Sequence, residues 1–288
     1  MTIRNPVEWA ADLSRHTGHA ITSGVRTMHP LEDTGDARTL QVRRITVTDL
    51  KEVLAKGIAD FGANRTDVIF LCVLYPVLGL IFARLASGNN MLPLLFPLAS
   101  GFAIIGPLAA VGLYEMSRRR EQGAEVGWAN AFDVLKAPAI GGIAALGMIL
   151  ITVFLVWLLA AWAIFEATLG PSLPPGASPA AFAQAVLFTE PGQAMIVMGI
   201  SVGFLFALLA MMLSVVSFPL LLDRDTGLDT AIATSFRAVL ANPGPMALWG
   251  LVVAAVLLAG SALAFMGLMV AVPVLGHATW HLYRKLIA

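Results

Sequence analysis

Apolar residues in this chain come in blocks too long for strands and too continuous for surface helices. Runs from about Val68 to Ala86, Met91 to Tyr114, Pro138 to Phe165 and Ala194 to Leu222 each suffice to cross a hydrocarbon layer of roughly 30 Å. A last block of 36 residues, Pro245 to Trp280, would reach about 54 Å as one helix. That is too long for one crossing, so Gly260-Ser261 marks a turn between a short fifth span and a full sixth. No water in the bilayer core can satisfy the backbone, so apolar runs of this length are helices. The alternating segments of about ten residues that build a transmembrane barrel do not occur. The pattern predicts an all-α membrane protein of about six transmembrane helices.

Shorter segments with helical periodicity precede the odd-numbered spans. Leu50, Val53, Leu54, Ile58 and Phe61 share one helix face; so do Trp128, Phe132 and Leu135, and Ile232, Phe236, Val239 and Leu240. Lys51, Glu52, Lys56, Asp133 and Arg237 lie on the opposite faces, which predicts three amphipathic helices at the headgroup boundary. Each even-numbered span carries a late proline: Pro107, Pro219 and Pro273. Counted from the first and last of these, Tyr114 matches Trp280, Glu115 matches His281 and Arg118 matches Arg284, while the middle copy ends early in Asp223-Arg224-Asp225. The sequence therefore predicts a threefold internal repeat over residues 46–116, 127–222 and 228–284, within a membrane domain of residues 45–288. Proline removes a backbone donor and crowds the preceding turn, so each even span is expected to bend near its proline.

Residues 1–44 are polar, contain no apolar run suited to a signal peptide, and read as a partly disordered cytoplasmic tail. Across the chain 58% of residues are hydrophobic and 12% charged, against about 25% charged in a soluble domain, so lipid is the expected partner of most of the surface. The net charge is zero and no basic groove with interleaved aromatics occurs, which argues against a nucleic-acid partner. With the N-terminus placed inside, 17 of the 18 Lys and Arg fall on one side: nine in residues 1–66, then Arg118, Arg119, Arg120, Lys136, Arg224, Arg237, Arg284 and Lys285. Arg84 is the exception. The positive-inside rule then predicts cytoplasmic N- and C-termini in a bacterial inner membrane, with the loop from Glu166 to Pro191 on the opposite side.

Candidate chemistry is sparse. The lone Cys72 sits in an apolar run and has no cysteine to pair with. Walker, dinucleotide-binding and HExxH motifs are all missing, so no enzymatic activity and no metal are expected. His277 and His281 lie one helical turn apart, a spacing that can hold a metal, but without a neighbouring acidic or Cys partner they read as part of an interfacial belt. Glu115 stands at a membrane boundary, where a carboxylate is either functional or paired with Arg118 one turn on. If a site exists, Tyr114, Glu115, Asp223, His277 and His281 are expected to line a vestibule at the cytoplasmic ends of the even spans.

Four stretches carry a family resemblance: Asp67 to Pro76, Pro93 to Gly101, Ser217 to Asp225 and Gly276 to Tyr283. From about residue 40 to the end, the chain resembles a bacterial integral membrane family filed as domain-of-unknown-function family 2189. Some of its members carry the label cytochrome c oxidase, subunit I. The resemblance implies a bacterial membrane protein and brings no catalytic residues with it. An oxidase subunit holds haem and copper with several histidines on different spans, whereas both membrane-level histidines here lie on one helix, so no cofactor is expected. Two functions remain in view: small-solute transport or a channel-like role, and, as the alternative, an accessory or assembly protein of a respiratory-chain complex of cytochrome oxidase type.

Overall fold

A computed structural model describes residues 40–63, 84, 92–174, 176–262 and 266–288. Among these residues the chain is helical, and its extended pairing is an isolated antiparallel bridge between Val42 and Ile287. Helix α1 covers 47–63. A 3-10 turn at Leu92–Leu94 leads into α2 (Leu95–Ala109) and α3 (Val111–Glu121). The 3-10 segment Trp128–Lys136 precedes the long α4 (Ile140–Ala167). Beyond it come α5 (Pro179–Phe188), α6 (Glu190–Ser214), α7 (Ser217–Asp223), α8 (Leu228–Ala241), α9 (Pro243–Ala262) and α10 (Leu268–Leu286).

The helix ends follow local chemistry. Thr189 caps α6 by accepting from the Gly192 N–H at 3.2 Å, with Glu190 and Pro191 in the first turn, where a carboxylate and a missing N–H are both favourable. Helix α3 ends in Arg118, Arg119 and Arg120, which oppose the negative end of its dipole. Gly123 then adopts φ +73°, and the N–H groups of Gly123 and Ala124 donate to the Arg120 and Arg119 carbonyls. This is a Schellman stop, and only glycine takes that conformation without strain.

Three helices among the described residues are long and apolar enough to cross a membrane: Ile140–Ala167, Glu190–Asp223 (α6 running into α7) and Pro243–Ala262. Only 28%, 6% and 17% of their most apolar windows are buried in protein, so most of that surface needs an apolar solvent. Leu92–Leu98 and Ala103–Ala109 would make a fourth crossing, bent by 46°. The expected first span, 68–86, lies outside the described residues except for Arg84, as do residues 1–39 of the expected tail. Helix α10 is not among the crossing candidates. It is amphipathic and buries Ala271, Leu275, Ala278, Leu282 and Leu286 against the protein. Helix α9 runs on through Gly260-Ser261, the expected turn, to Ala262.

The proline positions carry a regular feature. A proline at position i crowds the carbonyl of residue i−4. That residue is Ala103 for Pro107, Val215 for Pro219 and Met269 for Pro273. Ala103 opens the second arm of the 46° bend, Val215 lies in the break between α6 and α7, and Met269 stands at the start of α10. A bend or break thus lies about one turn before Pro107 and Pro219, while Pro273 stands in the second turn of α10. Of the three expected amphipathic helices, α1 and α8 are α-helical while 128–136 is 3-10. There the Asn130 side chain accepts from the Gly127 N–H and donates to Asp133, a local alternative to the α-helical ladder, and Pro138 stops further growth.

The core lies towards one end of the bundle. Phe218, Val216, Leu220, Met116, Trp280, Leu282 and Tyr283 are fully buried there, among α3, α7, α8, α10 and α1. The amphipathic helices turn apolar residues both ways: Leu50, Val53, Ala131, Val134, Ala238 and Val239 point inward, while Ile58, Phe132, Leu135 and Leu240 stay exposed.

Candidate functional site

The same end of the bundle gathers the charged and polar side chains into one connected layer. On α1, the inward face reads Leu50, Val53, Gly57 and Asp60, so that a carboxylate closes an otherwise apolar stripe. Asp60 is 6% exposed. Ser117 of α3 donates its hydroxyl proton to Asp60 Oδ2 at 2.7 Å, and His281 of α10 reaches the same oxygen through Nε2 at 2.9 Å. Arg120 approaches Asp60 Oδ1 at 3.3 Å and also donates to the Ala59 carbonyl. His277, fully buried one turn before His281, places Nδ1 2.7 Å from Ser117 Oγ. The Ser117 hydroxyl has a single proton, directed at Asp60, so His277 donates its Nδ1–H to Ser117 and leaves Nε2 as the bare nitrogen. That Nε2 is buried without a hydrogen-bond partner among the described residues. Burial works to raise the Asp60 pKa, but the hydrogen bonds from His281 and Ser117 outweigh it and hold the carboxyl below its usual range.

Glu115, on the same helix as Ser117, is 3% exposed and sits in a fork of two arginines. Arg118 Nε donates to Oε2 at 2.9 Å and Arg119 Nε to Oε1 at 2.7 Å. Each arginine then reaches a second element: Arg118 donates to the Leu222 carbonyl at the end of α7, and Arg119 pairs with Asp133 of the 3-10 segment at 3.0 Å. Asp223 accepts from the Tyr283 hydroxyl at 2.8 Å and from Arg284 at 3.3 Å. Burial, reinforced by the neighbouring Asp223, pushes the Tyr283 phenol up. Glu121 joins Trp280 Nε1 and Arg284 Nε, both at 3.1 Å.

The chain segments flanking this layer are tied to it. Asn242, after α8, accepts from the Ile45 N–H at 2.8 Å and donates to the Arg43 and Ala238 carbonyls. Lys285 pairs with Asp49 at 3.1 Å and Glu52 at 2.7 Å on α1. The Asp49 carboxyl, capping α1 through the Thr46 N–H and hydroxyl and further held by Lys285, is lowered to about 2.

All five candidate residues of the sequence thus stand at one end, yet they enter different contacts. Glu115 belongs to the arginine fork, Asp223 to the Tyr283–Arg284 pair, and His277 and His281 to the Asp60–Ser117 chain, while Tyr114 is buried in the core. Sequence reasoning missed Asp60, Ser117, Glu121 and Asn242. Asp60 alone had a legible signal, as a carboxylate on the apolar face of α1. Among the described residues no group of three or more His, Cys, Asp or Glu is placed to hold a metal. A recess of about 200 Å³, lined by Leu92, Pro93, Phe165, Gly170, Leu173 and Pro174, lies at the opposite end, past the far terminus of α4.

No curated protein and no solved structure matches the chain. Residues 95–223, which run from α2 through α7 and build much of the bundle and of the charged layer, match the family described as predicted integral membrane protein, DUF2189.

Proposed function

We propose that this integral membrane protein is non-enzymatic and works through contacts, as an accessory or assembly component of a larger complex in a bacterial inner membrane. The observation that carries the proposal is the interlocked charged end. Seven separate pieces of chain are cross-tied there by partly buried ion pairs and hydrogen bonds around a solid apolar core. A rigid platform of that kind suits holding a partner in a fixed geometry. A respiratory-chain complex of cytochrome oxidase type is the partner that the label on family members suggests. Purification from native membranes in mild detergent should bring down partner proteins in fixed ratio to the chain. A chain that elutes alone under those conditions overturns the proposal.

The distribution of basic residues supports a cytoplasmic position for the charged end, with six spans and both termini inside. Reporter fusions at Gly123 and Ala288 should then read cytoplasmic and a fusion at Gly176 periplasmic. A cytoplasmic signal at Gly176 removes the six-span topology. The bend at Ala103 and the break at Val215, each one turn before a proline, support a repeat of amphipathic segment, span and proline-broken span, with Pro273 placed early in α10 as the third member.

Small-solute transport is the second function, and one observation favours it. His277 holds a buried imidazole with an open Nε2 at the head of a polar chain that ends at the half-buried His281. In that case Tyr114, Glu115, Asp223, His277 and His281 border the path on the cytoplasmic side. Solute flux into proteoliposomes that is lost on replacing His277 would place transport ahead of the accessory role.

A further inference from the structure

We infer that helix α5 lies in the lipid–water boundary of the leaflet opposite the charged end, with Leu187 and Phe188 immersed among the acyl chains. The partner of this surface is the bilayer itself. The inference uses the membrane-spanning character of α6. It rests on neither functional reading and holds whichever side of the membrane the charged end faces.

The composition of this segment does not suit water. Residues 167–189 carry no charged side chain, where a soluble domain has about one in four. Within α5 the only polar side chain is Gln184, so the helix has no polar face to turn outward. Its ten residues are also fewer than the roughly 12–15 that an isolated helix needs in water. Yet none of the ten is buried in protein. Leu187 is 55% and Phe188 79% exposed.

The polar groups that remain are turned onto the chain's own backbone. Ser178 accepts from the Ala181 N–H at 3.2 Å and starts α5. Thr189 closes its other end by donating to the Ala185 carbonyl at 2.6 Å. Thr168 and Ser172 donate likewise to the Ile164 and Leu169 carbonyls. Internal satisfaction of this kind is what a segment against lipid requires.

The height of α5 follows from α6. Thr189 ends one helix and caps the next, and a Cβ at Gly192 of α6 would run into the backbone of Ala185 and Val186. The last turn of α5 is therefore fixed beside the first turn of α6. Measured from Ser214, buried where α6 meets the charged end, the 25 residues of α6 rise about 37 Å. The hydrocarbon layer is roughly 30 Å thick, so the start of α6 stands about 7 Å beyond it. A helix about 10–12 Å across lying at that height reaches the acyl chains with its nearer side. Trp162, exposed in the last two turns of α4, is the kind of amphipathic ring that marks the same level. Past the turn, α6 continues the apolar surface through Val197, Ile200 and Phe204, all exposed. Because α5 has no cation, apolar burial alone holds it, and anionic lipid is not required.

Fluorescence quenching in the full chain, reconstituted in lipid nanodiscs, measures this. With Cys72→Ser removing the native thiol, a bimane label is placed through Leu187→Cys or Phe188→Cys. Leu205→Cys on α6 and Gln122→Cys beyond α3, both at exposed positions, serve as lipid and water references. Acyl-brominated phosphatidylcholine should quench the labels at 187 and 188 nearly as strongly as the one at 205. Aqueous iodide should quench strongly only the label at 122. The loss of fluorescence should be the same whether or not phosphatidylglycerol is added. Iodide quenching at 187 and 188 equal to that at 122 places α5 in water and overturns the inference. Labels quenched by neither agent mean that a second copy or another segment of protein covers α5, which overturns it as well. So does quenching by brominated lipid that appears only with phosphatidylglycerol. Should one labelled variant fail to reconstitute, the other decides alone.

Discussion

Glu115→Ala is expected to destabilise the protein by about 2–4 kcal/mol, read as a lower thermal unfolding midpoint in a single detergent. Removing one partner of a buried ion pair typically costs about 3–5 kcal/mol, because the remaining charge is left without compensation. Here the charges left behind belong to Arg118 and Arg119, whose side chains are 28% and 31% exposed, so water recovers part of the loss. The loss is nonetheless large because Glu115 aims both arginines. Arg118 is directed at the Leu222 carbonyl and Arg119 at Asp133, so the carboxylate indirectly joins α3 to α7 and to the 3-10 segment. Glu115→Gln keeps the acceptor without the charge and should fall between the wild type and Glu115→Ala. An unchanged midpoint for Glu115→Ala would show that the fork contributes nothing to stability.

The second large effect comes from a residue with no side chain. Helix α1 crosses α10 at Gly57, where a Cβ would lie 2.7 Å from both the Ala278 Cβ and the Val274 carbonyl oxygen. Backbone atoms cannot swing aside as a flexible side chain does, so any substituent forces the helices apart. Gly57→Val is expected to cost about 1–3 kcal/mol or more by overpacking. The displacement would also stretch contacts on either side of the crossing: Asp60 with His281 one turn on, and Glu52 and Asp49 with Lys285 one to two turns back. Exchange of amides 47–63 should accelerate by about tenfold or more, since 1.4 kcal/mol is a factor of ten, with Gly57→Ala smaller and of the same sign. Wild-type protection in Gly57→Val would mean that α1 does not depend on this close approach.

Much of the fold is written in the sequence because bilayer-length apolar runs leave the backbone few choices. The stretches expected at 138–165 and 194–222 are α4 and α6 with α7, and the short fifth span is α9, since a run without water must satisfy its own N–H and C=O groups. Local chemistry fixed the ends: Thr189-Glu190-Pro191 starts α6 within the expected outer loop, and the basic run before Gly123 ends α3. The length of the last apolar block and the even span count expected from the basic residues place α10 in a sixth span. The structure gives it an amphipathic course, buried among the charged helices from Pro273 to Leu286.

The candidate site divides along a different line. Glu115 and Arg118 lie one turn apart, so their pairing follows from helix geometry and was visible in advance. Asp60 and His281 are 221 residues apart, Ser117 and His277 are 160, and Ile45 and Asn242 are 197. A 3.6-residue period shows which side chains share a face but not which helix that face will meet. Two short facts of packing settle that meeting: the absence of a side chain at Gly57 lets α1 approach α10, and the break before Pro219 leads into α7, which is buried from Ser217 to Leu222. The sequence by itself determined where the helices run and which residues bear charge. Tertiary structure decided which charges meet, because a buried carboxylate is stable only where several donors from separate helices converge on it.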